Sequence, residues 1–377
     1  MKIAINSIIS RPVSPVTFGG TEGFTYILVE ELKRRNYDVH LYAASDSQTS
    51  AILHSVNDSV TAREKRMGES LSQPYYLLLA QNLTLDSSRY DIIHNNYFHY
   101  YFFSAFTPFL SCPVVHTIHS AFFQDKNWQE ILKSFHLEKN EHFVFVSEYA
   151  RQLAGFKEQS SVIYHGIDLE NFPYNENASN AFLWLGRMVP EKGAAQAVQA
   201  AKQSGISLML NTARDAKIDL EYFTKEVEPY LSDKIRLERK DTLEEKVKLY
   251  QQAKAMLFPI TWEEPFGLVM LEAMSCGTPI IGYARGSVPE IIKDGVTGFI
   301  VNPSEEKRGN YIIQKTGIEG LKEAIERINN LSAEEYHLMR KNSRKHVEDN
   351  FAVGRMIKEY EQLYKRLIAQ EHEKHEY

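Results

Sequence analysis

The chain has 377 residues, 43% of them hydrophobic and 24% charged. That is the balance of a folded protein, too long for one ordinary core and suited to two domains of about 150–200 residues each. A net charge of −6 argues against general nucleic-acid binding, and no apolar run approaches the length of a membrane span. Cys112 and Cys276 lie far apart without paired spacing, which points to a reducing compartment and away from a disulfide framework or zinc site. The opening Met-Lys-Ile-Ala-Ile-Asn lacks the charged leader and apolar stretch of a secretory signal, so a cytoplasmic location is expected.

In chain order, short β-branched runs alternate with helical patterns, as in parallel sheets wrapped by helices. Strands are predicted over residues 2–7, 39–44, 91–95, 114–119, 143–147 and 162–166. A helix over 21–36 carries Phe24, Ile27, Leu28 and Leu32 at helical spacing. Arg63, Lys65 and Arg66, interrupted by Glu64, read as a solvated helix face. The aromatic run 97–106 reads as a helix packed on the sheet, with a stacking platform for ligand as the rival. A polar stretch, 168–179, breaks the rhythm as a linker would. The alternation then restarts, with strands predicted over 182–186, 208–210, 234–237, 255–259, 279–282 and 299–301. From about Gly320 the chain is helical, and its closing segment aligns Met356, Tyr360, Leu363 and Leu367 along one stripe. The expected fold is α/β with two doubly wound, Rossmann-like domains facing a cleft, over residues 1–170 and 180–350.

The most informative stretch runs from Trp262 to Pro279: Trp-Glu-Glu-Pro-Phe-Gly-Leu-Val-Met-Leu-Glu-Ala-Met-Ser-Cys-Gly-Thr-Pro. Pro265 and Gly267 punctuate the passage from a strand into a helix predicted to start near Phe266. A helix start offers unpaired N–H groups and the positive end of the helix dipole, a site for phosphate or sugar oxygens. Glu264 precedes that helix, and Glu272 follows eight positions later, about two turns in, so the two share a direction at different depths. Ionised carboxylates are pure acceptors and can hold hydroxyls at two places on one ligand. Taken singly, Glu264 reads as an N-cap and Glu272 as a solvated helix residue; the flanking Pro-Phe-Gly and Cys-Gly-Thr-Pro favour a ligand motif.

His94, His99, His116 and His119 invite a metal hypothesis. Alternation along 114–119 sends neighbouring side chains to opposite faces and no acidic residue has ligand spacing, so no metal is expected. No Gly-x-Gly-x-x-Gly follows the first strand, which disfavours a dinucleotide oxidoreductase.

Glu264 through Glu272 resembles the E-x7-E motif of family-4 retaining glycosyltransferases, which have the GT-B fold. Further stretches are similar to that family in the same order: Phe18-Gly19-Gly20-Thr21-Glu22, His165-Gly166-Ile167-Asp168, the run from Phe182 to Gly193, and Gly286-Ser287-Val288-Pro289-Glu290. The resemblance implies transfer of a hexose from a nucleotide diphosphate sugar, UDP-sugar before GDP-mannose, with no metal required. Arg187 and Lys192 would bind the donor pyrophosphate, and Glu272 the ribose. Glu264 would contact the sugar ring, helped by backbone amides of Phe266, Gly267, Leu268 and Val269, and Gly19 and Gly20 would let backbone approach the phosphates. His119 matches the histidine near the anomeric centre; a satisfied buried histidine is the rival. The final helix, 351–377, would complete the N-terminal acceptor domain.

Two loops depart from the family pattern. Asn211-Thr212-Ala213-Arg214 and Glu238-Arg239-Lys240-Asp241 stand where glycine is usual, and side chains there would reshape the base pocket. The acceptor, whether glycan, lipid-linked or small molecule, is not named by the sequence, and peripheral membrane contact stays open. Rival readings are a non-catalytic module binding a nucleotide sugar or partner protein, and a hydrolase or phosphorylase of the same architecture. The intact Glu264, Glu272, Arg187 and Lys192 count against the first, and the absence of a cofactor lysine and of a far longer chain against a phosphorylase.

Overall fold

The computed structural model describes residues 1–15, 20–60, 72–96, 103, 105–120, 124–127, 130, 140–155, 158–213 and 218–375. These form two compact units, the first comprising 1–165 with 353–377 and the second 166–352.

The first unit is built on seven parallel strands: β1 (Lys2–Asn6), β2 (Asp38–Tyr42), β3 (Ile52–His54), β4 (Ile92–Asn95), β5 (Val114–Ile118), β6 (Glu141–Phe145) and β7 (Ser160–Val162). They lie in the order β3-β2-β1-β4-β5-β6-β7. Helix α1 (Gly20–Arg34) has Glu22 in its first turn and Lys33 and Arg34 in its last, each sign matching the helix dipole. It buries Phe24, Leu28, Val29 and Leu32 against Ile3, Ile5, Val39 and Leu41 of the sheet. Helix α2 (Ser72–Leu85) covers the other face with Tyr76, Leu79, Ala80 and Leu83. Helix α3 (Glu148–Ala154) is opened by the Ser147 hydroxyl, which accepts the Ala150 amide, and closed by Gly155 at φ 74°. Strand β6 begins two residues before the predicted 143–147, because Glu141 and His142 are polar yet buried and read poorly as strand. Most of the aromatic run 97–106, and Arg63, Lys65 and Arg66, lie outside the described residues.

The second unit has six parallel strands: β8 (Phe182–Leu185), β9 (Leu208–Asn211), β10 (Ile235–Glu238), β11 (Met256–Phe258), β12 (Ile280–Tyr283) and β13 (Gly298–Val301). Their order is β10-β9-β8-β11-β12-β13. Counted from its own first strand, this is 3-2-1-4-5-6, the doubly wound order that the first six strands of the first unit also follow. The chain reverses direction across the sheet between β1 and β4 and again between β8 and β11, where open sheets place their ligands. Helices α4 (Ala194–Ser204), α5 (Leu243–Gln252), α6 (Leu268–Ser275), α7 (Val288–Ile291), α8 (Gly317–Asn329) and α9 (Ala333–Asn350) surround the sheet. Thr242 with Glu245, and Ser332 with Glu335, form capping boxes that start α5 and α9. The small side chains of Ala194, Ala197, Ala200 and Ala201 let α4 pack in one core with Leu321, Ala324 and Ile325 of α8.

The polar stretch 168–179 folds onto the second unit rather than hanging as a linker. Fully buried Arg340 donates to the carbonyls of Asn175 at 2.7 Å, Ala253 at 3.1 Å and Gln251 at 3.2 Å, and the Ser179 amide donates to Gln252 at 2.8 Å. One guanidinium, with its five donors, thus gathers carbonyls from two separate segments. The last helix, α10 (Val353–His375), returns to the first unit and buries Met356, Ile357, Tyr360, Leu363 and Tyr364 in its core.

Candidate active site

In the second unit the site is assembled where the loops after β8 and β11 meet. Gly193 makes that meeting feasible: its φ is 72°, and a Cβ there would come 1.9 Å from the Pro259 carbonyl oxygen. The Thr261 amide and hydroxyl donate to the carbonyls of Glu191 and Pro190 at 3.0 and 3.2 Å, and Trp184 Nε1 donates to the Lys192 carbonyl at 2.9 Å. This lacing brings Lys192 Nζ to 2.9 Å from Glu264 Oε2. Trp262 Nε1 donates to the same oxygen at 3.0 Å, and the Lys192 ammonium lies 4.4 Å from the centre of the Trp262 ring. Glu264 is only 8% exposed, so one of its oxygens is held twice, while Oε1 has no partner among the described residues. Trp262 was part of the motif in the sequence, but its hold on the carboxylate was not legible there.

Helix α6 begins at Leu268, two residues beyond the predicted start near Phe266. Gly267 sits at φ 86° as the capping residue, a left-handed turn that breaks the helix on its N-terminal side. A Cβ there would meet the Met270 side chain at 2.6 Å and Glu264 Cγ at 3.3 Å, so the turn and the carboxylate share one tight corner. With α6 starting at Leu268, Glu272 lies about one turn into the helix rather than two, and it is not free: the hydroxyl of fully buried Tyr250 donates to its Oε2 at 2.7 Å. Burial, and then the Glu272 charge, push the Tyr250 hydroxyl far above its ordinary value, so it remains a donor. Tyr250 belongs to α5, and nothing in its sequence context announced this contact. Arg187 lies exposed on the turn after β8; it stands outside the Lys192–Glu264 pair and forms no ion pair with a described residue. The two loops that depart from the family pattern are laced together, since Asn211 accepts the Lys240 amide at 2.8 Å and donates to its carbonyl at 3.2 Å. Arg214 lies outside the described residues.

In the first unit the central strands carry histidines and amides. One face has a polar ladder across neighbouring strands: Asn6 Nδ2 donates to Asn95 Oδ1 at 2.8 Å, Asn95 Nδ2 approaches His116 Nδ1 at 3.0 Å, and His116 Nε2 lies 3.1 Å from buried Glu141. On the other face His94 bridges Thr117 at 2.7 Å and the Tyr364 hydroxyl. His119 Nε2 lies 3.1 Å from Asn96 Oδ1, and its ring stacks on His165 at 5.3 Å and meets Phe24 at 4.7 Å. A proton on Nε2 leaves Nδ1 as a lone-pair acceptor, and that atom, like Asn96 Nδ2 and Ser120 Oγ, is buried without a partner among the described residues. Burial, reinforced by His165 and His94, holds His119 well below the ordinary histidine range, and burial lowers His94 and His165 to about 3. All three rings are therefore neutral at pH 7. Gly20 opens α1 with nothing within 4 Å of where a Cβ would stand; Gly19 and His99 lie outside the described residues. Among the described residues no group of three His, Cys, Asp or Glu side chains could hold a metal ion.

The model of the family "Glycosyl transferases group 1" matches residues 167–346, and that of "Glycosyltransferase Family 4" matches 18–171. The chain is a family-4-type glycosyltransferase. Among curated relatives, this glycosyltransferase is 28% identical to the O-antigen chain mannosyltransferase RfbU of Salmonella typhimurium over 58% of its own length, and the match spans 64% of RfbU. It is 22% identical to the D-inositol 3-phosphate glycosyltransferase of Mycolicibacterium smegmatis over 80% of each chain. Among solved structures it superposes on Anabaena HepE in complex with UDP with a TM-score of 0.72 at 18% identity, covering 97% of this chain and 100% of HepE. That likeness establishes the GT-B fold of two Rossmann-like domains. The sequence-level resemblance and α/β architecture thus hold.

Proposed function

We propose that this glycosyltransferase moves a hexose from a nucleotide diphosphate sugar to a hydroxyl acceptor with retention of configuration and without a metal ion. The observation that carries the reading is Glu264, whose Oε2 is fixed by Lys192 and Trp262 while Oε1, without a partner among the described residues, would accept a sugar hydroxyl. As the glycosidic bond breaks, the leaving diphosphate gains negative charge, and the cations of Lys192 and Arg187 with the amides at the start of α6 stabilise it most at the transition state. The sugar becomes oxocarbenium-like, as in glycoside hydrolysis. Same-face attack, with the leaving phosphate taking the acceptor proton, makes catalysis a matter of positioning and charge. Neutral His119 would serve through Nδ1 as a hydrogen-bond acceptor for a hydroxyl rather than as an acid. Glu272, already holding Tyr250, keeps its second oxygen for a ribose hydroxyl.

HepE, which shares the fold, was solved with UDP-glucose as well as with UDP, which supports a UDP-sugar as first choice of donor. The mannosyl activity in the name of RfbU keeps GDP-mannose second. The test is a thermal-shift series with UDP, GDP, ADP, CDP and dTDP in EDTA. UDP should raise Tm with EDTA present, because a ligand that binds only the native state stabilises it. A shift from GDP alone would reassign the donor. A strict need for Mn²⁺, or no response to any nucleotide, would overturn the proposal.

A further inference from the structure

The loop that carries Glu264 into α6 is held by the residue just before it. Glu263 Oε2 accepts the Gly286 amide at 2.6 Å and Arg308 Nη1 at 2.7 Å, and its Oε1 accepts Arg285 Nη1 at 3.0 Å. Arg285 is paired in turn with Glu305, and Arg308 Nε with Glu306 at 2.8 Å. The Arg308 amide donates to Asn302 Oδ1 at 2.7 Å, which anchors its loop to the end of β13. The loops after β11, β12 and β13 therefore converge on one carboxylate whose side chain is 14% exposed. Burial alone would raise the Glu263 carboxyl, but the Arg308 and Gly286 hydrogen bonds together with the Arg308 and Arg285 charges outweigh it and hold the group below the ordinary range.

The clamp reaches Glu264 through its backbone. Gly286 stands at φ 56°, and a Cβ there would lie 2.2 Å from the Glu264 carbonyl oxygen, so the two segments are in direct contact. The Ser287 amide donates to that same carbonyl at 2.9 Å, and the Ser287 hydroxyl donates to the Phe266 carbonyl at 2.7 Å. The segment that Glu263 grips is thus the one that fixes the residues on either side of Pro265.

We propose that Glu263, gripped by Arg308 and Arg285, is a positioning residue that sets the place of Glu264 and of the first amides of α6. This rests on the reading of Glu264 as the sugar-binding carboxylate. Glu263 itself touches no substrate; it acts by tying three loops at one height, with charge-assisted bonds that are stronger and more directional than neutral ones. A displacement of about 1 Å at such a site can lower turnover about 100-fold.

Glu263→Gln keeps the shape and removes the charge. Hydrogen exchange should quicken at residues 263–268 and 284–288 while α8 keeps its protection. Turnover should fall about 10- to 100-fold with donor KM and UDP affinity within about twofold of wild type. Should Glu263→Gln not fold, Arg308→Lys, which keeps a cation but loses the fork, gives the same readouts. Unchanged exchange in both loops overturns the brace, and so does faster exchange throughout the second unit with a parallel loss of UDP affinity. Faster loop exchange with undiminished kcat overturns its part in transfer. If wild type binds no nucleotide at all, the donor reading fails, and loop exchange still judges the brace.

Discussion

The two units use one strand order to present opposite chemistry. At the ends of β4 and β5 the first unit sets His94, Asn96, Thr117 and His119 against Phe24 and His165, all neutral at pH 7. At the ends of β8, β11, β12 and β13 the second unit sets Lys192 against Glu264 and Arg285 and Arg308 against Glu263. Both sets are largely buried, and each avoids an isolated buried charge in its own way. The histidines surrender the proton, because desolvation favours the uncharged ring, whereas the carboxylates and cations of the second unit are set against partners of opposite sign. A shared scaffold therefore does not fix the chemistry; the side chains at the strand ends do.

Acid should separate the two units most. His94, His119 and His165 are lowered in the native state, so below about pH 6.5 the unfolded chain binds protons that the folded chain refuses, and stability falls as pH falls toward about 3. Each such histidine lowers stability by about 1.4 kcal/mol per pH unit in that window, the three together by about 4. His346 is the histidine of the second unit with a lowered value among the described residues. Hydrogen exchange from pH 7 to pH 5 should therefore show β4 and β5 losing protection well before β11 and β12; equal loss would break the contrast. Next in size, Lys192→Ala should reduce kcat by about 100- to 1,000-fold, or roughly 3–4 kcal/mol of transition-state stabilisation, with Tm within a few degrees of wild type. Wild-type turnover in that variant would remove the charged unit's part in the reaction. The smallest effect is expected from Tyr250→Phe, which deletes one buried hydrogen bond: urea unfolding should show a loss of about 1 kcal/mol, and UDP affinity should change less than about twofold. A tenfold weaker affinity would mean that Tyr250 aims Glu272, which the hydrogen bond alone does not require.

Periodicity made the alternating architecture legible, spacing singled out Glu264 and Glu272, and only the family resemblance added Lys192. What escaped has a common physical cause. Strand β6 started early because Glu141 is buried beside His116, and a polar residue announces no strand. The stretch 168–179 looked like a linker because nothing local marks the carbonyls that Arg340 gathers from 165 residues away in sequence. The contacts of Tyr250 with Glu272 and of Arg308 with Glu263 join loops and helices that meet only because parallel strands end at one level. Pattern reading follows neighbours along the chain, and these pairs are neighbours across it. Gly267 shows the converse: the glycine was read correctly as punctuation, yet its left-handed turn moved the start of α6 to Leu268.

The return of α10 to the first unit has a consequence for biosynthesis. A ribosome that has delivered residues 1–165 has not delivered a complete body, because Met356, Ile357, Tyr360 and Tyr364 are still to come and His94 lacks the Tyr364 hydroxyl. Residues 166–352 are continuous and precede α10 in the chain. Domains fold as units once their sequence is available, so the body begun first is finished last. Until α10 is made, the first unit lacks the core side chains of Met356, Ile357, Tyr360 and Tyr364, and a truncation before residue 353 damages that unit rather than the second.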